Sequence, residues 1–316
     1  MNLIIILSVI SIIFIVTIIF YFIGNYFYNL ALNPNTPKDM IFGKSKDSSN
    51  EDETKNNWLI NKSKYTDEYI NSFDNLKLHS YKILNENTSD NWAIVVHGYT
   101  CEGLQMSPYA ENFYNAGFNV IVPDLRSHGL SEGNYIGMGW KDRLDIISWI
   151  NYIINKNSNS KIVLLGVSMG AATVSMTSGE ELPSNVKAII ADCGYTCVFD
   201  QFAYQLKRLF SLPKFPIINV SSLVTQIKAG YSFKKASAIN QVRKSKTPML
   251  YIHGDIDDFV PSYMIDELYN ATSSPKEKLI IKGAKHAVSH TTDPHTYWNT
   301  IFGFINKYLN QSKESF

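Results

Sequence analysis

Gly166-Val167-Ser168-Met169-Gly170 follows a mostly apolar run, Lys161-Ile162-Val163-Leu164-Leu165, and precedes a run of small residues, Ala171-Ala172-Thr173-Val174-Ser175-Met176. β-Branched and aliphatic residues that end at a glycine predict a buried strand. Small residues behind a second glycine predict a helix packed close to that strand. The turn between them strains its central residue, and the strain directs the Ser168 hydroxyl out of the end of the sheet. The helix that starts behind it has N–H groups without intrahelical partners, placed to face a developing negative charge. Such a pentapeptide also recurs by chance, and its bland reading is an ordinary strand-to-helix turn. The flanks and the downstream partners carry the decision.

Outward from this turn, apolar runs and amphipathic segments alternate. On the N-terminal side, a short helix is expected before a first strand at Leu76 to Leu84. A buried strand at Trp92 to His97, a helix at Pro108 to Ala116 and a strand at Asn119 to Pro123 follow. A glycine-punctuated loop runs from Arg126 to Gly133. Trp140, Leu144, Ile147, Ile150 and Ile154 then recur at helical spacing. On the C-terminal side, strands are expected at Val186 to Ala191, Met249 to His253 and Lys278 to Ile281. A closing helix carries Trp298, Ile301, Phe302, Ile305 and Leu309 on one face. The alternation predicts an α/β fold with a mostly parallel, doubly wound sheet covered on both faces. Between Tyr195 and Lys246 the alternation breaks, and Phe, Tyr, Leu, Pro213 and Pro216 there suggest an inserted helical cap.

A serine hydroxyl needs an adjacent base, and the base needs a group that holds its tautomer. Two loops leave the carboxyl ends of strands, the edge where open α/β sheets build their sites. One is Gly254-Asp255-Ile256-Asp257-Asp258-Phe259-Val260-Pro261; the other is Gly283-Ala284-Lys285-His286-Ala287-Val288-Ser289. Serine, then acid, then histidine is the chain order of one known arrangement. With His97-Gly98-Tyr99, the loop Pro123-Asp124 to Gly133, His253-Gly254-x-x-Asp257-x-x-Val260-Pro261 and Gly283-Ala284-x-His286, the chain from about Trp58 to Leu309 resembles the α/β-hydrolase superfamily. More narrowly it resembles its membrane-anchored or exported bacterial serine hydrolases. The resemblance implies Ser168 as nucleophile, His286 as base, Asp257 as acid, and an oxyanion hole made by the backbone N–H groups of Tyr99 and Met169. Gly98-Tyr99-Thr100 departs from the triple glycine of some lipases, which argues against carrying over a lipase assignment.

The three neighbouring acids each have a plain reading. Asp255 caps the turn at the strand end. Asp258 supports a helix expected to begin with Pro261 at its first position. Asp257 alone fits the quoted spacing. His97 and His128 are expected to brace loops, and Asp192 and Cys193 to serve as pocket wall or packing rather than as a second nucleophile. The expected activity is cleavage of an acyl bond, first a carboxylic ester. Amide or peptide cleavage and thioester cleavage remain open on the same groups, and a non-catalytic binding module on this fold is the alternative from another class.

Composition bounds the partners. The chain has 316 residues, 45% of them hydrophobic, and a formal net charge of +1. That fits a sizeable core and gives no electrostatic footprint for nucleic acid; a small-molecule acyl substrate is what the resemblance implies. Cys101, Cys193 and Cys197 do not make a disulfide framework, and no histidine stands near them at metal-ligand spacing, so neither metal nor cofactor is expected. Cys193 and Cys197 are read as unbonded, partly buried thiols, with a bridge between them the alternative if the chain is exported.

Leu3 to Ile23 carries no charged residue and shows no polar face. As a helix it would be about 31 Å long, enough to cross a hydrocarbon core of ~30 Å. A secretory signal has a shorter apolar region and a basic start, so an uncleaved anchor is expected over residues 1–32. Tyr21, Phe22, Tyr26, Phe27 and Tyr28 are expected at the membrane interface. Residues 33–57, polar and mixed in charge, are read as a tether. The hydrolase-like domain is then 58–316, with the cap at about 195–246, and a chain starting near Trp58 is expected to be soluble and active. Lys38, Lys44 and Lys46 after the run favour a cytoplasmic body, whereas the resemblance to anchored relatives implies an extracytoplasmic one, which is the expectation adopted.

Overall fold

A computed structural model describes residues 2–43 and 57–309. Its strands are β1 (Thr66–Asn71), β2 (Lys77–Ile83), β3 (Asn91–Val96), β4 (Asn119–Pro123), β5 (Lys161–Val167), β6 (Val186–Asp192), β7 (Met249–Gly254) and β8 (Lys276–Ile281). They form one sheet in the order β1-β2-β4-β3-β5-β6-β7-β8. The β1–β2 and β2–β4 pairs are antiparallel and the others parallel. Parallel neighbours need crossovers, which helices supply on both faces.

Side-chain alternation divides the core in two. Ile94, Ile121, Leu164 and Ile189 enter one apolar cluster, with the helix Asp142–Lys156 and the cap. Ala93, Val95, Val120, Leu165 and Ile190 enter the other, with the helices Ser107–Asn115 and Pro294–Leu309. Strands buried on both faces explain the unbroken apolar runs that made them legible.

β1 was not expected. Its sequence, TDEYIN, alternates between exposed and half-buried positions at the sheet edge, so no apolar run announces it. The helix expected at Pro261 begins at Tyr263 instead, because Pro261 and Ser262 still belong to the preceding turn. The cap region holds the helices Val198–Phe210, Ile217–Ala229 and Ala238–Val242.

The N-terminal helix runs from Asn2 to Leu32, past the uncharged run that ends at Ile23 and through the whole segment 1–32 assigned to the anchor. From Leu3 to Phe22 it is almost wholly exposed, and its mean hydropathy reaches 3.3, long and apolar enough to cross a membrane. After Ile23 it acquires a buried face of Gly24, Tyr28, Leu30 and Leu32. Gly24 lies against the cap helix Ile217–Ala229, where a Cβ would sit 2.8 Å from the Val220 carbonyl oxygen. Phe27 packs edge-on to Phe210, and Lys228 Nζ donates to Asn25 Oδ1 at 2.6 Å. Phe27 and Tyr28 are thus turned to the protein rather than to an interface. Lys38 Nζ donates to the Leu30 and Asn33 carbonyls at 2.8 Å each, a cation at a helix C-terminus. Packing therefore crosses the boundary that composition placed at Trp58. Of the expected tether, residues 33–43 lie on this body, with Phe42 stacked on Phe259; residues 44–56 lie outside the described residues.

Candidate active site

Ser168 stands between the end of β5 and the helix Met169–Thr177 with φ 57° and ψ −114°, a left-handed conformation costly for a side-chain-bearing residue. The two glycines make the turn possible. A Cβ at Gly166 would lie 2.2 Å from the Gly170 carbonyl oxygen, and one at Gly170 would lie 2.2 Å from that of Val96. No side chain fits either gap. Ser168 N–H donates to the Asp192 carbonyl on β6 at 2.8 Å, which pins the turn to the next strand.

The loops after β7 and β8 bring two further groups to this apex. Ser168 Oγ is 2.8 Å from His286 Nε2, and His286 Nδ1 is 2.7 Å from Asp257 Oδ2. Burial alone would raise the Asp257 carboxyl. Hydrogen bonds from His253, His286 and the Val260 N–H outweigh it and hold the group well below the usual carboxylate range. An ionised Asp257 only accepts, so Nδ1 carries the imidazole hydrogen and Nε2 is left to accept from the serine hydroxyl. Asp257 Oδ1 accepts from the N–H groups of Phe259 and Val260, both at 2.9 Å, so the carboxylate is held on both oxygens.

The neighbouring acids have other work. Asp255 Oδ1 accepts from Gly283 N–H at 2.6 Å, which ties the acid loop to the histidine loop. Asp258 is exposed, 3.9 Å from Arg208. His290 is bonded to the Tyr109 hydroxyl and His295 to Asn299 on the surface, so neither reaches Ser168.

Tyr99 and Met169 both line the cavity over Ser168. Among the described residues, neither backbone N–H donates to a protein acceptor. His97 Nε2 accepts the Leu125 N–H at 2.9 Å and Nδ1 donates to the Gly98 carbonyl at 2.8 Å. Burial, reinforced by His128, pushes His97 down to about 3, so it stays neutral and braces the Gly98–Tyr99 loop. His128 Nδ1 bonds its own loop at the Arg126 carbonyl, 3.0 Å away. Cys193 and Cys197 are free and buried. Sγ of Cys193 lies within 4.8 Å of ligand atoms of Asp257 and His286, but burial and the nearby carboxylates hold its thiol well above the ordinary range. It stays protonated and packs in the apolar core with Val167 and Ile190 rather than lining the cavity.

Asp192, expected at the pocket wall or in packing, does not line the cavity; it is fully buried and accepts from the Tyr297 hydroxyl at 2.9 Å, and among the described residues its Oδ1 has no hydrogen-bond partner. Sequence reasoning missed two contributors. His253 Nε2 donates to the Val260 carbonyl at 3.0 Å and lies 3.2 Å from Asp257 Oδ2, a second imidazole on the acid. Its place in the His-Gly-x-x-Asp pattern was the available signal. The second is the N-terminal helix. The cleft over Ser168 encloses about 770 Å³ of space between atoms, counting the open solvent at its mouth. One wall is Phe202, Leu206 and Phe210 of the cap, and another is Phe27, Leu30 and Ala31 of that helix.

A sequence profile described as the alpha/beta hydrolase fold matches residues 91–217. The Bacillus subtilis protein YqkD is 30% identical over 225 residues, 71% of this chain and 73% of that one. The thermostable monoacylglycerol lipase of a Bacillus species is 24% identical over 219 residues, 59% of this chain and 78% of the lipase. Among solved structures, the Pyrococcus furiosus esterase Pf2001 superposes with a TM-score of 0.64 at 25% identity, covering 78% of this chain and 94% of the esterase.

Proposed function

The chain belongs to the α/β-hydrolase family and is a hydrolase, and from that premise we propose that it cleaves a carboxylic ester through an acyl-enzyme on Ser168. The observation that carries the reading is the unbroken hydrogen-bond chain from Ser168 Oγ through His286 to Asp257, with links of 2.8 and 2.7 Å. Ser168 Oγ attacks the acyl carbon as its proton passes to His286 Nε2. The bond to the leaving alcohol breaks as His286 returns the proton to the departing oxygen. Water, deprotonated by His286, then releases the acid. Asp257 keeps Nδ1–H in place and offsets the charge on the imidazolium. The N–H groups of Tyr99 and Met169 receive the oxyanion; donors of this kind are each worth roughly 10²–10³ in rate. Amide and thioester substrates would use the same steps.

Labelling of the full chain with a fluorophosphonate tests this reading. Wild type should form the adduct and hydrolyse p-nitrophenyl acetate, and Ser168→Ala should do neither while keeping its thermal midpoint. An adduct on Ser168→Ala would remove the nucleophile assignment. The helix Leu3–Phe22 is proposed as an anchor, with the body on the extracytoplasmic side as the resemblance to anchored relatives implies. Protease added to intact cells should then digest the body, and a spared body reverses the orientation.

A further inference from the structure

One helix serves two regions. From Leu3 to Phe22 it is an exposed apolar cylinder without a charge, and within the next two to three turns Phe27, Leu30 and Ala31 wall the cavity that holds Ser168. The cap continues the apolar surface. At 100° per residue, Leu223 and Ile227 lie beside Val220 and Val224, on one flank of the seam with Gly24. They are 58% and 72% exposed, and Phe215 just before this helix is 72% exposed. Large exposed apolar side chains call for a partner, and here they stand on a cap helix that packs against the helix built to enter a bilayer.

We propose that the cap beside the N-terminal helix rests on the bilayer, and that the substrate is a long-chain acyl ester of a membrane amphiphile whose chain passes from the lipid phase into the cavity between helix and cap. The inference rests on Ser168 as nucleophile and adds the substrate class and its route. Cavity walls that are almost wholly hydrocarbon suit an acyl chain, because each methylene that leaves water adds to binding and demands no hydrogen-bond partner. Taking the chain from the bilayer also avoids exposing it to water on the way. Ala31 faces this space with the smallest side chain of the three wall residues, so its size sets how much chain fits.

The test uses the full chain in phosphatidylcholine vesicles. For Ala31→Phe, the ratio of kcat/KM for p-nitrophenyl dodecanoate to that for the acetate should fall at least tenfold. If Ala31→Phe fails to fold, as a lost thermal transition would show, Ile41→Trp in the same lining carries the same expectation. A ratio within twofold of wild type in the folded variant overturns the route. Separately, the added emission of Phe215→Trp should be quenched by brominated phosphatidylcholine in the vesicles. Emission unaffected by bromine overturns the docking of the cap on lipid, and a concentration-dependent dimer that buries Phe215 would do the same. Loss of acetate hydrolysis in Ser168→Ala, with the Ala31→Phe ratio unchanged, would leave the esterase reading standing and remove this one alone.

Discussion

The Tyr99 hydroxyl donates a 2.6 Å hydrogen bond to the carbonyl of Ala31, in the last turn of the N-terminal helix. The residue whose backbone N–H is assigned to the oxyanion is thereby tied, through its side chain, to a carbonyl that has no intrahelical partner.

Tyr99→Phe removes that tie and leaves the ring. A partly buried carbonyl is left unsatisfied, at a cost of about 1–2 kcal/mol. Thermal unfolding of the full chain should shift down by a few degrees, and turnover should fall several-fold because the oxyanion loop is less well held. Unchanged turnover would show that the loop keeps its place without the helix.

Asp257→Asn should lower turnover by about 10³–10⁴ with little change in the thermal midpoint, since the amide favours the wrong imidazole tautomer. Asp258→Asn should cost less than about threefold, because its Arg208 contact is long and exposed. Asp255→Asn should cost up to about tenfold, because it weakens the bond that joins the acid and histidine loops. Steady-state kinetics of the three variants decide the assignment, and a crippled Asp255→Asn with a near-normal Asp257→Asn would move it.

Burial raises Asp192 from its ordinary 3.8 to about 6, against the Tyr297 hydrogen bond and the charges of His253 and His286. A raised value means that, between these pH values, the folded chain holds a proton the unfolded chain has released. Stability contributed at low pH is thus lost as pH rises from about 4 to 6, by on the order of 2–3 kcal/mol in all. Asp192→Asn cannot titrate, so its stability relative to wild type should rise across this window and then level off. Urea denaturation at pH 4, 5, 6 and 7 checks this; parallel curves for the two proteins would place the titration elsewhere.

A chain beginning at Trp58 should be poorly active, contrary to what composition suggests, because it lacks the wall formed by Phe27, Leu30 and Ala31 and the partner of Tyr99. Gly24→Leu is the milder version. Its Cβ would meet the Val220 carbonyl oxygen at 2.8 Å and Val224 Cγ2 at 3.0 Å, so helix and cap must separate, at roughly 1–3 kcal/mol. Thermal unfolding should report that loss, and full activity of the Trp58-start chain would show that the body completes its own cavity.

Local pattern by itself determined the α/β alternation, the turn at Ser168, the two loops bearing Asp257 and His286, and the apolar N-terminal run. These features are written in contiguous residues: fully buried strands as unbroken apolar runs, helices as recurring faces, the tight turn as glycines that no other residue can replace. The edge strand β1 escaped because its exposed positions are polar, so it carries no such run. Spacing had already singled out Asp257 from Asp255 and Asp258, and its carboxylate does meet His286; only the tertiary structure decided that His253 joins it and that the N-terminal helix walls the cavity. Those facts depend on contacts such as Ala31 with Tyr99 and Gly24 with Val220, between residues far apart along the chain. An apolar side chain near the end of a long helix has the same local sequence whether it faces lipid, solvent or a substrate cavity, and only the folded arrangement distinguishes them.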